Sequence, residues 1–347
     1  MADFIYMDSA AMHPPLPCAI DAFRTSPFGN PSSEHAIGQS ARNALEQARE
    51  KIAKLMDCEP HELYFTSTAT EAAALVMNSL AQCQHDTAEP SDFEHHAISE
   101  NIVQPRGWTF PNVYFAQMLA NNETGEIFRE NPKCYDGWIC DATAAVGHIP
   151  VSFRGLGCDY LIADGIKFGG LPGAAFLIAK QDAPLSPLIR GGGQERGMRS
   201  GTENVPAICA MAAALEWQTE HMEDNIGILN GMRFFLINKL LEIKGSMLNT
   251  PYESAETLPQ IINISFKGVD AKALVLLLSK DGIMVSAGAA CSNGLNEPSH
   301  VLMAMFNDEA RARSAIRISL SHENTLQECE QAAEKIADCV AYLRSIS

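Results

Sequence analysis

What most limits the folds open to this chain is a recurring unit: a short apolar run that stops on a polar residue and hands over to a helical stretch. Leu63-Tyr64-Phe65 leads into Thr66-Ser67-Thr68-Ala69-Thr70-Glu71 and then the alanine-rich stretch 72–80, which reads as strand, hydroxyl-rich turn and helix. Gly137-Trp138-Ile139-Cys140 ends on Asp141, and Tyr160-Leu161-Ile162-Ala163 ends on Asp164. Residues 174–179 form a further apolar strand. Between them, 41–56 sets Ala41, Ala44, Leu45, Ala48, Ile52, Leu55 and Met56 on one helical face, with Arg, Glu and Lys on the other. Short apolar strands without polar alternation are buried on both faces. Interleaved with helices, they predict an α/β fold with a mostly parallel sheet. Ligands of such sheets bind beyond the carboxyl ends of the strands, where Asp141 and Asp164 would stand.

The character changes after a long helical stretch over 207–241. Strands are expected at 261–266, 283–285 and 315–320, with a helix at 271–278. The last helix opens with Thr325 and Glu328 in capping-box spacing. This third of the chain reads as a smaller α+β domain.

The chain has 347 residues, and 25 basic against 42 acidic side chains give a formal charge of −17. That balance argues against nucleic acid and anionic membranes as partners. No apolar run reaches membrane-spanning length, and Met1-Ala2-Asp3-Phe4 lacks the features of a signal peptide. Ten cysteines without a CxxC pair indicate neither a metal site nor a disulfide framework, so a reducing cytoplasm is the expected setting.

Several residues carry chemistry. Cys291 lies in Ser286-Ala287-Gly288-Ala289-Ala290-Cys291-Ser292-Asn293-Gly294, followed by Glu297-Pro298-Ser299-His300, which looks like a helix start with proline near its first turn. Small neighbours make Cys291 read as a reactive thiol on a mobile arm; a buried small residue in a tight turn is the other reading. Thr68-Ala69-Thr70 is either a phosphate cradle at a helix start or ordinary threonine capping. Asp141 is either a buried anion partner or a loop residue. Lys167, just past a strand in Asp164-Gly165-Ile166-Lys167-Phe168-Gly169-Gly170, can form a Schiff base or be solvated surface.

The order of these features resembles the cysteine desulfurases of the nitrogen-fixation and iron–sulfur-assembly type, within the class V aminotransferases. The resemblance runs from about Tyr6 to the C-terminus. It is most specific in Phe28-Gly29-Asn30-Pro31-Ser32-Ser33, Asn121-Asn122-Glu123-Thr124-Gly125, residues 191–205 and residues 286–302. It implies the pyridoxal phosphate (PLP) fold type I. A large domain would span 12–222, and a small α+β domain, carrying the Cys291 loop, would combine 1–11 with 223–347. Lys167 matches the lysine that bonds PLP covalently and later moves protons, and Asp141 the carboxylate that keeps the ring nitrogen protonated. His95 matches the histidine stacked over the ring, with His96 its neighbour in the motif. Ala69 and Thr70 match the phosphate-binding turn. Thr143 stands where a glutamine contacts the phenolic oxygen. Thr202 matches a residue that reaches the phosphate of the other subunit, which implies a homodimer. Arg317 would clamp the carboxylate of L-cysteine, assisted by Asn122. Cys291 would take the sulfur as a persulfide, release alanine, and pass the sulfur to an iron–sulfur scaffold or thiolation protein. The other readings are a scaffold that keeps the fold but binds PLP poorly, and a related PLP lyase or aminotransferase.

The chain departs from the family's Ser-x-His-Lys at Asp164-Gly165-Ile166-Lys167. The serine and histidine donate to the phosphate; an ionised Asp164 would repel it unless the side chain turns away or is protonated. One such pair of charges at 4 Å costs roughly 1 kcal/mol in water and about 4 kcal/mol at an intermediate dielectric. The stretch from His95 to Asn122 is also shorter than usual.

Overall fold

The computed structural model describes residues 4–83, 86–102, 112–129, 134–288 and 297–346. Backbone proximity groups the chain into two units: Pro14–Leu119 with Phe128–Met222, and Met1–His13 with Ala120–Ile127 and Glu223–Ser347.

The larger unit is built on a six-stranded sheet in the order Leu63–Thr66, Ala175–Ala179, Tyr160–Asp164, Gly137–Asp141, Asn112–Ala116, Asp86–Pro90. The last four strands pair in parallel. Ala175–Ala179 runs against both of its neighbours, so Leu63–Thr66 points the same way as the other four. The sheet is therefore mostly parallel, as the apolar runs require. Five carboxyl ends share one edge, and the polar residues that close the runs gather there. The antiparallel pairing of Ala163 with Phe176 and Asp164 with Ala175 turns the intervening segment, which carries Lys167, into a hairpin connection at that edge. Ala72, Val76 and Leu80 of the Ala69–Gln82 helix pack with Ile139, Ile162 and Leu177 of the sheet, all buried.

Three details differ from the pattern. The amphipathic helix starts earlier, at Ala36, because His35 caps it by accepting from Gly38 N at 3.2 Å. Arg49, expected on its solvent face, is buried: its guanidinium gives Nη1 and Nη2 to Glu195 at 2.9 and 2.7 Å. The stretch 207–241 is two helices, Val205–Glu220 and Met222–Leu241, parted at His221.

The smaller unit holds a four-stranded antiparallel sheet ordered Ser286–Ala287, Ala315–Ser319, Ile261–Phe266, Ser246–Leu248. The expected 283–285 strand is shorter: Ile283–Met284 pairs in parallel with Ile5–Tyr6, and the chain then crosses to the other sheet at Ser286. Leu236, Leu240, Leu274, Leu278, Ile318 and Ile336 form the core. Thr325 and Glu328 close the expected capping box on the last helix, Leu326–Ile346.

Candidate active site

In the larger unit, the hairpin that carries Lys167 is pinned through its backbone. The carbonyl oxygens of Lys167, Phe168 and Gly169 accept from His148 Nε2 at 2.9 Å, Gln218 Nε2 at 3.2 Å and Leu16 N at 2.9 Å. Because a carbonyl accepts and never donates, Nε2 of His148 carries the proton. Lys167 itself is half-buried at the end of a one-turn 3₁₀ segment, Gly165–Lys167. Three fixed carbonyls in a row give its side chain a stiff base. Neither His148 nor Gln218 stood out in the sequence, since what they recognise is backbone.

Asp141 ends the neighbouring strand. Its Oδ1 accepts from Thr143 N at 2.9 Å, and among the described residues its Oδ2 accepts from none. Thr143 Oγ1 is buried and has no hydrogen-bond partner among the described residues. Two oxygens beside Lys167's strand are thus available to a ligand. His95 follows the strand at the sheet edge, where it caps the His96–Ser99 helix by accepting Ala97 N on Nδ1 at 3.0 Å. Its Nε2 therefore carries the hydrogen when the ring is neutral. His96 turns to Glu100, 3.9 Å away.

Glu94, which sequence reasoning passed over, is buried beside these groups and accepts from Met118 N and from Ser91 Oγ. Burial, with the nearby charge of Asp141, pushes its carboxyl from 4.5 up to about 8. At neutral pH the acid there is mostly protonated.

The start of the Ala69–Gln82 helix stands at the carboxyl end of Leu63–Thr66. Thr68 caps it in the ordinary way, accepting Glu71 N at 3.1 Å. Ala69 N donates to Asp164 Oδ2 at 3.0 Å, and Ile166 N donates to Oδ1 at 3.2 Å. Asp164 does not turn away; its buried carboxylate sits on the helix start. Burial raises its pKa, an effect opposed by the two N–H groups and by Lys167 and reinforced by Asp141. Thr70 is exposed, and its N–H and hydroxyl make no hydrogen bond among the described residues.

Thr202 is exposed and borders a hollow of about 160 Å³ lined by Phe65, Ser67, Arg199 and Asn204 among others. Lys167, Asp141 and His95 do not line that hollow.

In the smaller unit, Arg317 sits on the Ala315–Ser319 strand with its side chain 2% exposed. Nη2 donates to Asp8 Oδ1 at 2.9 Å and Nη1 to the carbonyl of Asn122 at 2.9 Å. Nε is buried with no partner among the described residues. Asn122 belongs to a tight turn in which Asn121 Oδ1 accepts from Glu123 N and Thr124 N, and Gly125 takes a left-handed φ of 78°. Both stems of the loop expected to be reactive meet these elements. Ser286 registers with Arg317 across the sheet, and Ser299 Oγ donates to the buried Glu123 at 2.6 Å. Ser299 also caps the His300–Phe306 helix, so Pro298 precedes the cap rather than lying in the first turn. Cys291 lies outside the described residues.

Comparison with known proteins places these features in context. The family model for aminotransferase class-V matches residues 5–118 and 113–331. The cysteine desulfurase IscS of Methanosarcina thermophila is 31% identical over 382 aligned positions, which cover 99% of this chain and 93% of that protein. A solved NifS-like protein superposes with a TM-score of 0.87 at 30% identity, covering 98% of this chain and all of the other. SspA, solved in complex with cysteine, superposes with a TM-score of 0.73 at 25% identity over 92% of this chain and 99% of its own.

Proposed function

The chain belongs to the aminotransferase class-V family, and on that premise we propose that it is a PLP-dependent cysteine desulfurase. It takes the sulfur of L-cysteine onto Cys291 and releases L-alanine. One observation carries the reading beyond family membership: Asp141 Oδ2 and the buried Thr143 Oγ1, beside the strand that leads to Lys167, have no hydrogen-bond partner among the described residues. A protonated ring nitrogen and a phenolic oxygen are the complementary groups. The residues present therefore fit the ring of the cofactor. Its phosphate meets a different situation, since Asp164 already holds Ala69 N and Ile166 N.

When bound, PLP supplies an electron sink that withdraws charge from the substrate's α-carbon. The remaining work belongs to the protein. Lys167, on its pinned backbone, holds the cofactor by its ε-amine and moves the α-proton. Asp141 keeps the ring nitrogen protonated. Protonated Glu94 adds no negative charge beside Asp141. His95 presents Nε2–H as an acid–base group. Arg317, fixed by Asp8 and Asn122, keeps further N–H groups for the substrate carboxylate. The Cys291 thiolate attacks the substrate sulfur: a sulfur–sulfur bond forms, and the carbon–sulfur bond breaks with its electron pair left on the β-carbon. That carbon takes the proton given up by the substrate thiol, so the three-carbon product leaves as alanine. Thr202, exposed on its loop, would serve the partner subunit's site in a homodimer. An iron–sulfur scaffold or thiolation protein would accept the sulfur, in the cytoplasm. Among the described residues, no helix is long and apolar enough to cross a membrane.

The alternative, a scaffold that no longer holds PLP, draws its support from Asp164. The test is formation of alanine from L-cysteine with PLP added, in wild type and in Lys167→Ala. Equal output from both, or none from wild type, would overturn the enzyme reading.

A further inference from the structure

We propose that Asp164 is a built-in occupant of the site where the cofactor's phosphate would dock, so that this chain recognises its cofactor through the ring and takes unphosphorylated pyridoxal at least as well as PLP. The inference rests on the PLP reading above and specifies which half of the cofactor the site can grip.

A phosphate held at a helix start needs unengaged N–H groups and a surrounding free of negative charge. Here the Ala69 N–H donates to Asp164 Oδ2 at 3.0 Å, and the Glu71 N–H donates to Thr68 at 3.1 Å. In the loop that carries Lys167, the Ile166 N–H is also spent on Asp164, at 3.2 Å. Position 166 is an isoleucine, without a polar atom in its side chain. Of the nearby basic groups, Arg199 is committed to Glu71 at 2.6 Å. Lys167 is the residue that must bond the ring, so it is not available as a phosphate counter-ion. At this helix start an incoming phosphate would find the N–H and hydroxyl of exposed Thr70 and the hydroxyl hydrogen of Thr68, beside a buried carboxyl, with a Thr202 hydroxyl added only from a second copy of the chain. Asp164 is also held from both sides: Oδ1 closes a short turn within its own loop, and Oδ2 bridges to the next element. Moving it aside would orphan both N–H groups unless the phosphate took them over. The two anions thus compete for the same donors. Pyridoxal, with a hydroxymethyl group in place of the phosphate, asks for no such exchange and keeps the ring contacts to Asp141 and Thr143.

The experiment is a binding titration of the full chain with PLP and with pyridoxal, followed by the absorbance of the lysine-bound chromophore, in wild type, Asp164→Ser and Asp164→Asn. Wild type should bind PLP no more tightly than pyridoxal. Asp164→Ser should tighten PLP by at least about fivefold, the least that removing one like charge at contact provides in water, and leave pyridoxal unchanged. Asp164→Asn, which keeps an oxygen acceptor for Ala69 N, should shift PLP in the same direction and guards against a serine variant that fails to fold. A strong wild-type preference for PLP that neither substitution alters would overturn the inference while leaving the PLP reading intact. PLP bound by the variants while wild type takes neither ligand would overturn the pyridoxal preference and, with it, the enzyme reading for the natural chain. If neither ligand binds any of the three proteins, both fall.

Discussion

Glu94→Gln offers a perturbation whose size follows from the structure. The carboxyl is 2% exposed, and burial together with Asp141 raises its pKa from 4.5 to about 8. Between those values the folded chain binds a proton that the unfolded chain has released, so stability is lost as pH rises through this window. At about 1.4 kcal/mol per pH unit the full rise corresponds to roughly 5 kcal/mol, an upper bound that relaxation and water entry reduce to a few. A glutamine keeps an oxygen for the Met118 N–H and cannot ionise. Below about pH 5 the two proteins should therefore unfold at similar urea concentrations, whereas above pH 8 the variant should be the more stable by a few kcal/mol. The overall charge of −17 also weakens the fold as pH rises, but it acts on both proteins and cancels in the difference. Urea midpoints of both, taken at steps from pH 5 to 9, read the effect. Parallel curves would refute the buried neutral acid.

Three further substitutions probe separate features. Arg49→Met leaves Glu195 buried without its cation and should cost about 3–5 kcal/mol by urea denaturation. Thr143→Val removes a buried hydroxyl that has no partner, and should stabilise the cofactor-free protein by about 1 kcal/mol in the same assay while weakening cofactor binding. Arg317→Lys loses the planar fork, and should raise KM for L-cysteine by about tenfold or more with a smaller change in kcat, read from alanine formation.

How much of this was legible in the sequence depended on how local the signal was. The strand ends at Asp141 and Asp164 and the capping box at Thr325 were legible, because each is written in a few consecutive residues. The family resemblance found the Ser-x-His-Lys departure at Asp164 for the same reason. What Asp164 does there was only half visible: the bond to Ile166 N is a local turn, but the bond to Ala69 N spans 95 positions. Helical periodicity alone puts Arg49 on the solvent face, since its partner Glu195 lies 146 positions away. Glu94 carries no such local signal, because a raised acid depends on burial and on Asp141 across the sheet edge. His148 holds a backbone carbonyl, a contact that leaves no residue-type signature.

The measurement that bears most directly on the proposed function is the mass of the Cys291 peptide after the protein, supplied with cofactor, has met L-cysteine under non-reducing conditions. The account predicts a gain of one sulfur atom on Cys291, removed by a reducing agent and missing in Lys167→Ala. An unmodified Cys291 in a protein that nonetheless forms alanine, or a sulfur gained equally by Lys167→Ala, would contradict it.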